Sequence, residues 1–79
     1  MVKVVSDERF IVYVYDEYGV RHNRPHCQVR WAGEDAQVAL PSLDVLAGVL
    51  PRAALRLLED NLDTICDKWD ELNPRRTIG

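Results

Sequence analysis

The residues with the greatest capacity for chemistry lie in one short segment, residues 21–30. This segment holds three arginines and two histidines and no acidic residue. Arginine forms bidentate contacts with phosphate and carboxylate groups, and histidine exchanges a proton near neutral pH. The segment therefore predicts a binding site for an anion, a nucleic acid or an acidic protein. The predicted binding residues are Arg21, His22, Asn23, Arg24, His26, Gln28 and Arg30.

The same segment has a catalytic alternative. His26 as general acid or base, with Arg24 and Arg30 stabilising a charged transition state, supplies the groups of a small metal-independent ribonuclease. A solvated loop without a function is a third interpretation, because nothing in the sequence fixes the distances between these groups. Structural zinc normally takes four Cys or His ligands at regular spacing, which His22, His26 and Cys27 do not provide. We therefore expect no metal and no cofactor.

The charge of the chain is unevenly distributed. The 79 residues include 10 basic and 13 acidic ones, for a formal charge of −3. Outside residues 21–30, seven basic residues accompany all 13 acidic ones, which gives a charge of −6. An acidic chain is not expected to bind nucleic acid in general, because such binding requires a basic surface. The charge distribution is still compatible with a local anion-binding site, and therefore with a nucleic-acid contact, at residues 21–30.

The first half of the chain has the patterns of β-strands. Residues 9–15 are rich in β-branched and aromatic residues and apolar on both faces, which predicts a central strand. Residues 1–5 predict a shorter strand before it. Residues 26–31 and 36–40 alternate between apolar and polar around a turn at residues 32–35, which predicts a hairpin. Residues 43–50 fit a strand or a helix, and Gly48 followed by Pro51 favours a final strand.

The second half predicts one long helix. Pro51 suits a first helical turn, and Pro74 disfavours helix at Asn73. Between them, apolar residues recur at spacings of three and four, at Leu55, Leu58, Leu62, Ile65, Trp69 and Leu72. Such a stripe packs against a sheet in a two-layer domain. We therefore expect a single α+β domain over residues 1–74, with a four- or five-stranded, mostly antiparallel sheet and one long C-terminal helix packed on one face. Residues 75–79 are predicted to be a short mobile tail.

Sequence features also bear on location. The longest apolar run, residues 10–15, has six residues, whereas a membrane-spanning helix needs about 20. The polar residues after Lys3 interrupt any signal-peptide core. Cys27 and Cys66 lie on different predicted elements, unlike the dense cysteines of a secreted disulfide scaffold. We therefore expect a cytoplasmic protein without a membrane partner.

The order of these features resembles a known family. The aromatic strand ending at Tyr15, the sequence PHCQVRW at residues 25–31, the Leu50-Pro51 pair and the helix with Trp69 are similar to the small bacterial family called domain of unknown function 4160. The resemblance covers residues 10–72. Members of that family are often encoded beside a second family, domain of unknown function 2442, in arrangements that look like toxin–antitoxin pairs. The resemblance thus implies a protein partner of that type, encoded by the adjacent gene.

One departure from the family narrows the expected functions. The family's His-x-His pair is His26-Cys27-Gln28 here, and a glutamine does not titrate near neutral pH. A role that needs two histidines on this strand is therefore not expected. The leading hypothesis is a protein-interaction module, one component of a bacterial toxin–antitoxin-like pair. The alternatives are a ribonuclease-type toxin that uses His26 and nearby arginines, and a structural domain that dimerises through a strand edge. The sequence leaves the oligomeric state open.

Overall fold

A computed structural model describes residues 2–15, 24–74 and 77–78 of the chain. These residues form one antiparallel sheet, whose strands lie in chain order, and two helices. The elements are β1 (Val2–Ser6), β2 (Ile11–Val14), β3 (His26–Trp31), β4 (Glu34–Ala39), β5 (Val45–Ala47), α1 (Arg52–Asp60) and α2 (Leu62–Leu72). The α+β class and a five-stranded antiparallel sheet, both within the prediction, are confirmed.

The predicted hairpin is formed by β3 and β4. Its ladder ends at the pair Trp31 and Glu34, and only Ala32 and Gly33 lie in the turn. Both turn residues have positive φ, 45° and 77°. This conformation matches the twist of the flanking strands in a two-residue turn. The turn predicted for residues 32–35 is therefore too long, because Glu34 and Asp35 already pair with β3.

The core combines alternate strand residues with residues of both helices. Because side chains alternate between the two faces of a strand, Val12 and Val14 on β2 share one sheet face with Cys27 and Val29 on β3. The buried cluster consists of Phe10, Val12, Val14, Cys27, Val29, Val38, Leu40, Ala54, Leu58, Ile65 and Trp69. On the hairpin strands, the alternating apolar residues Val29 and Val38 are buried, whereas Trp31 at the end of β3 is half-buried.

The helical region is two helices, so the prediction of one long helix is wrong. Asn61 separates α1 from α2 with non-helical angles, φ −123° and ψ 20°. Its side-chain Nδ2 donates a hydrogen bond of 2.9 Å to the carbonyl oxygen of Leu57. Asparagine side chains compete in this way with the regular backbone ladder. The apolar spacing continues from Leu58 to Leu62 across the break, so the period alone does not reveal it.

The segment that fitted either a strand or a helix contains the short strand β5, which confirms the predicted final strand. The strand ends at Ala47, and the next residue, Gly48, has a φ of 81°. A Cβ atom at this position would lie 2.6 Å from the carbonyl oxygen of Asp35. Positive φ and this close approach both require glycine. Gly48 therefore lets the chain leave the sheet beside β4.

The last described residue contacts the helix and the core. The backbone N–H of Ile78 donates to Oδ1 of Asp70 at 2.6 Å, and the Ile78 side chain packs against the core. Within the described residues, neither helix has the length and apolar character that a membrane crossing requires.

Candidate functional site

Strand β3 separates the predicted site residues along its length. His26 begins the strand and Arg30 lies four residues later. At about 3.3 Å per residue, their Cα atoms are about 13 Å apart. We call the region of Tyr15, Arg24, His26, Gln28, Trp69 and Asn73 the His26 end. We call the region of Arg9, Ile11, Arg30, Trp31, Gly33 and Glu34 the Arg30 end.

The structure brings together some of the predicted residues. Arg24 and His26 are in direct contact, and Gln28 bonds to Tyr15. Arg30 lies apart from them, near the other end of strand β3. Arg21, His22 and Asn23 lie outside the described residues, so their predicted part in the site stays a prediction.

The His26 ring has a defined hydrogen bond. Its Nδ1 lies 2.9 Å from the carbonyl oxygen of Arg24. A carbonyl oxygen only accepts, so Nδ1 carries the proton and Nε2 carries the lone pair of the neutral ring. The ring centroid also lies 5.6 Å from that of Trp69, with the planes tilted by 51°. Arg24 and Trp69 together therefore orient the imidazole.

Asn73 joins the end of α2 to the end of β2. Its Nδ2 donates hydrogen bonds of 3.1 Å to the carbonyl oxygens of Tyr15 and Trp69, and the residue is only 5% exposed. The Tyr15 hydroxyl in turn donates to Oε1 of Gln28. The sequence analysis used Asn73 only as the end of the helix. The bond to Tyr15 spans 58 residues, and no local pattern reveals it.

The two cysteines are poor nucleophiles in this fold. Burial, and secondarily the nearby Cys66 thiol, raises the pKa of Cys27 to about 12. Burial also raises the pKa of Cys66, and the carboxylates of Asp70, Asp63 and Asp67 add to the effect. Thiolates attack electrophiles and bind metals, whereas thiols do so weakly. The described residues hold no cluster of three metal-binding side chains.

A cavity of about 220 Å³ lies at the Arg30 end. Its lining residues are Arg9, Ile11, Arg30, Trp31, Ala32, Gly33 and Glu34. The register of β2 and β3 pairs Ile11 with Arg30, and Arg9 precedes Ile11 by two residues. The two arginines therefore meet at one cavity although 20 residues separate them in sequence. Sequence reasoning missed Arg9, and pairing the predicted strand at residues 9–15 with that at residues 26–31 was the signal that could have found it.

The turn between β1 and β2 holds Arg9 in place. Oδ1 of Asp7 accepts hydrogen bonds of 2.8 Å from the backbone N–H groups of Phe10 and Arg9. These two bonds hold the pKa of Asp7 below its ordinary value. The Arg9 guanidinium lies 5.0 Å from the centre of the Phe10 ring, which meets the Trp31 ring edge to face at 5.8 Å.

The third surface of interest is the edge of the sheet at β5. All three residues of this strand are exposed. Val45 and Leu46 are 46% and 43% exposed, and Val49 just beyond the strand is 83% exposed. Large apolar side chains grouped at a sheet edge mark a contact surface more often than isolated ones do.

The fold and the sequence comparison together place the chain in a family. The described residues define an α+β protein with a five-stranded antiparallel meander followed by two helices. The family described as Domain of unknown function (DUF4160) matches residues 10–70, which is more than half of the chain. The chain belongs to this family. Comparisons with curated proteins and with solved structures find no significant match.

Proposed function

We propose that this chain is a protein-interaction module of the bacterial cytoplasm and one component of a toxin–antitoxin-like pair. Its partner is then the product of the adjacent gene, of the domain of unknown function 2442 type. Membership of the DUF4160 family supports the proposal. The observation that carries it is the exposed apolar edge at β5.

The β5 edge offers both backbone and side-chain contacts to a partner. β5 pairs with β4 on one side, and no strand of the described residues pairs with its other side. Open strand edges accept a strand from another chain, and apolar side chains there strengthen the contact. The edge at β1 is less suited, because Val4 and Val5 pack against the core.

The helices leave this edge accessible. We infer that α1 and α2 cover the sheet face that carries Val12 and Val29. Complete burial of Leu58 and Ile65 within the same core supports this arrangement. A partner would then approach from the β5 edge or from the opposite sheet face.

Co-expression with the adjacent gene product tests the interaction. We expect the two proteins to co-elute as a heteromeric complex in size-exclusion chromatography with light scattering. The double variant Leu46→Lys and Val49→Lys places two charges in the contact, and we expect it to weaken the complex about tenfold or more. Thr64→Lys adds a lysine at an exposed position of α2 and serves as the control.

Each outcome of this experiment has a clear consequence. Absence of a complex contradicts the partner assignment. A complex that the lysine pair leaves unchanged contradicts the use of β5. If the chain alone has the mass of two copies and the lysine pair makes it monomeric, the dimerising structural domain replaces the proposal. Growth arrest on expression, relieved by the neighbouring gene, would identify this chain as the toxin.

One observation favours a second candidate, a ribonuclease-type toxin. The bond from Nδ1 of His26 to Arg24 sets the tautomer in which Nε2 can act as a base. Arg24 lies next to His26, and the Cα atom of Arg30 lies about 13 Å along the strand. This candidate predicts growth arrest that His26→Gln abolishes while the thermal midpoint stays near that of the wild type. Arrest that persists in His26→Gln contradicts it.

A further inference from the structure

Helix α1 carries its charges in the reverse of the order that stabilises a helix. Arg52 is its first residue, and Arg56 lies about one turn later. Glu59 and Asp60 are its last two residues. The amino end of a helix favours negative side chains and the carboxyl end favours positive ones, but the first turn of α1 holds no acidic residue and the last turn no basic one. The stability of α1 therefore does not explain where its arginines lie.

Ion pairs do not explain the two arginines either. Arg52 and Arg56 are exposed, and neither forms a salt bridge with any residue that the structure describes. On α2, by contrast, Lys68 contacts Glu71 at 2.9 Å. Charges placed against the local rules of stability occur mainly at functional sites. Both guanidiniums are therefore available to a partner molecule.

The two arginines extend the exposed surface of the β5 edge. Residues 44–49 are all exposed, and the chain is exposed again at Arg52 and Arg56. Arg52 follows Val49 by three residues, so their Cα atoms are at most about 11 Å apart. Arg56 lies about 6 Å further along the helix. A standard interface covers about 800 Å² of each protein, a patch about 30 Å across, so a partner that contacts Leu46 and Val49 is wide enough to reach both arginines.

The charge of this surface has one sign over a long stretch of chain. Residues 45–58 contain two arginines and no acidic residue, in a chain whose formal charge is −3. The nearest acidic residue before this stretch is Asp44, which precedes β5 and lies at the other end of the strand from α1. Complementary charge across an interface selects the partner and speeds association. The side of the β5 edge next to α1 therefore favours a negatively charged partner surface.

We propose that the protein partner presents carboxylates to Arg52 and Arg56, beside apolar side chains that cover Leu46 and Val49. This inference deepens the proposed function and rests on it, because the same partner occupies the surface. Arginine forms bidentate bonds with carboxylates, and arginine is common among the residues that dominate binding energy at interfaces. The surface thus selects an apolar segment flanked by Asp or Glu over one flanked by Lys or Arg.

Charge reversal in the complex with the adjacent gene product tests the contact. We expect Arg52→Glu and Arg56→Glu each to weaken binding about tenfold, mainly through slower association in surface plasmon resonance. Added salt should weaken the wild-type complex and affect the double variant less. Arg52→Glu places a negative charge in the first turn of α1, so its thermal midpoint should be no lower than that of the wild type. Lys3→Glu makes the same charge change on the opposite edge strand, and we expect it to leave binding unchanged.

The outcomes distinguish this inference from the proposed function. If the wild-type chain forms no complex, the proposed function is wrong and this inference with it. If a complex forms and both arginine variants bind as tightly as the wild type, only this inference is wrong. It is also wrong if Lys3→Glu weakens binding as much as Arg52→Glu, because the effect is then one of overall charge. Partner variants in which a carboxylate residue is replaced by lysine, and which restore binding to Arg52→Glu, would confirm the contact.

Discussion

The two ends of strand β3 use their polar groups in opposite ways. At the His26 end, the polar side chains bond within the protein: Asn73 to the carbonyls of Tyr15 and Trp69, and Tyr15 to Gln28. At the Arg30 end, Arg9 and Arg30 are exposed side chains that line a cavity, and the Arg9 charge acts on the nearby Asp7 carboxylate.

The difference indicates that the polar groups at the His26 end contribute to stability, whereas the arginines at the Arg30 end do not. A buried polar group whose partner is removed destabilises the fold, whereas an exposed and unpaired charge does not. We therefore expect substitutions at the His26 end to lower the free energy of unfolding. Substitutions of the exposed arginines at the Arg30 end should have little effect on folding.

The two tryptophans give the largest contrast between the ends. Trp69 is fully buried in the core, whereas Trp31 is half-buried. We expect Trp69→Ala to lower the free energy of unfolding by about 3–5 kcal/mol, as for other large-to-small core changes. Trp31→Ala should cost about 1–2 kcal/mol, because less apolar surface is lost from the interior. Urea denaturation followed by circular dichroism measures both, and equal losses would contradict the assignment of Trp69 to the core.

Asn73 provides the next contrast, with Asn61 as its internal control. In both residues, Nδ2 donates a hydrogen bond to the carbonyl oxygen four residues earlier. Only Asn73 is buried, and only its side chain also donates to the carbonyl oxygen of Tyr15, which follows β2. We expect Asn73→Ala to lower the free energy of unfolding by about 1–3 kcal/mol, because the Tyr15 and Trp69 carbonyls lose a donor. Asn61→Ala should change it by less than about 0.5 kcal/mol, since alanine favours helix there. A larger effect at Asn61 would show that the helix break, and not the tie to β2, matters for stability.

The hairpin of β3 and β4 was predictable because its signal is local. Alternation from Cys27 to Val38 sets which side chains are buried, and the Ala32-Gly33 pair supplies the turn. The break at Asn61 was not predictable from the apolar period, since one local hydrogen bond interrupts a stripe that continues on both sides.

The grouping of site residues was only partly predictable. Sequence proximity placed Arg30 with Arg24 and His26, but an extended strand moves residues four positions apart to different ends of the sheet. The pairing of Ile11 with Arg30 brings Arg9 to the cavity instead, and that register joins β2 to β3 across the long connection of residues 15–25. Segments that are distant in sequence therefore form the cavity.

Substitutions of Gln28 and Arg30 compare the two ends within a single strand, β3. Gln28 accepts from the Tyr15 hydroxyl, whereas Arg30 is exposed at the cavity. We expect Gln28→Ala to lower the free energy of unfolding by about 1 kcal/mol, and Arg30→Gln to change it by less than about 0.5 kcal/mol. Thermal and urea unfolding measure both variants. A loss at Arg30 as large as that at Gln28 would contradict a division of roles between the two ends.

The smallest expected effect is a pH dependence at the Arg30 end. Asp7 accepts backbone hydrogen bonds from Phe10 and Arg9 that keep the pKa of its carboxyl below the ordinary value of 3.8. A carboxyl whose folded pKa is lowered stabilises the fold above the unfolded pKa, and the contribution is lost as pH falls through the folded value.

We expect the thermal midpoint of the wild type to exceed that of Asp7→Asn slightly at neutral pH, because the amide is a weaker acceptor than the carboxylate. The difference should shrink once the pH falls below 3.8 and vanish when Asp7 is protonated. Parallel pH profiles would contradict a role for the Asp7 charge.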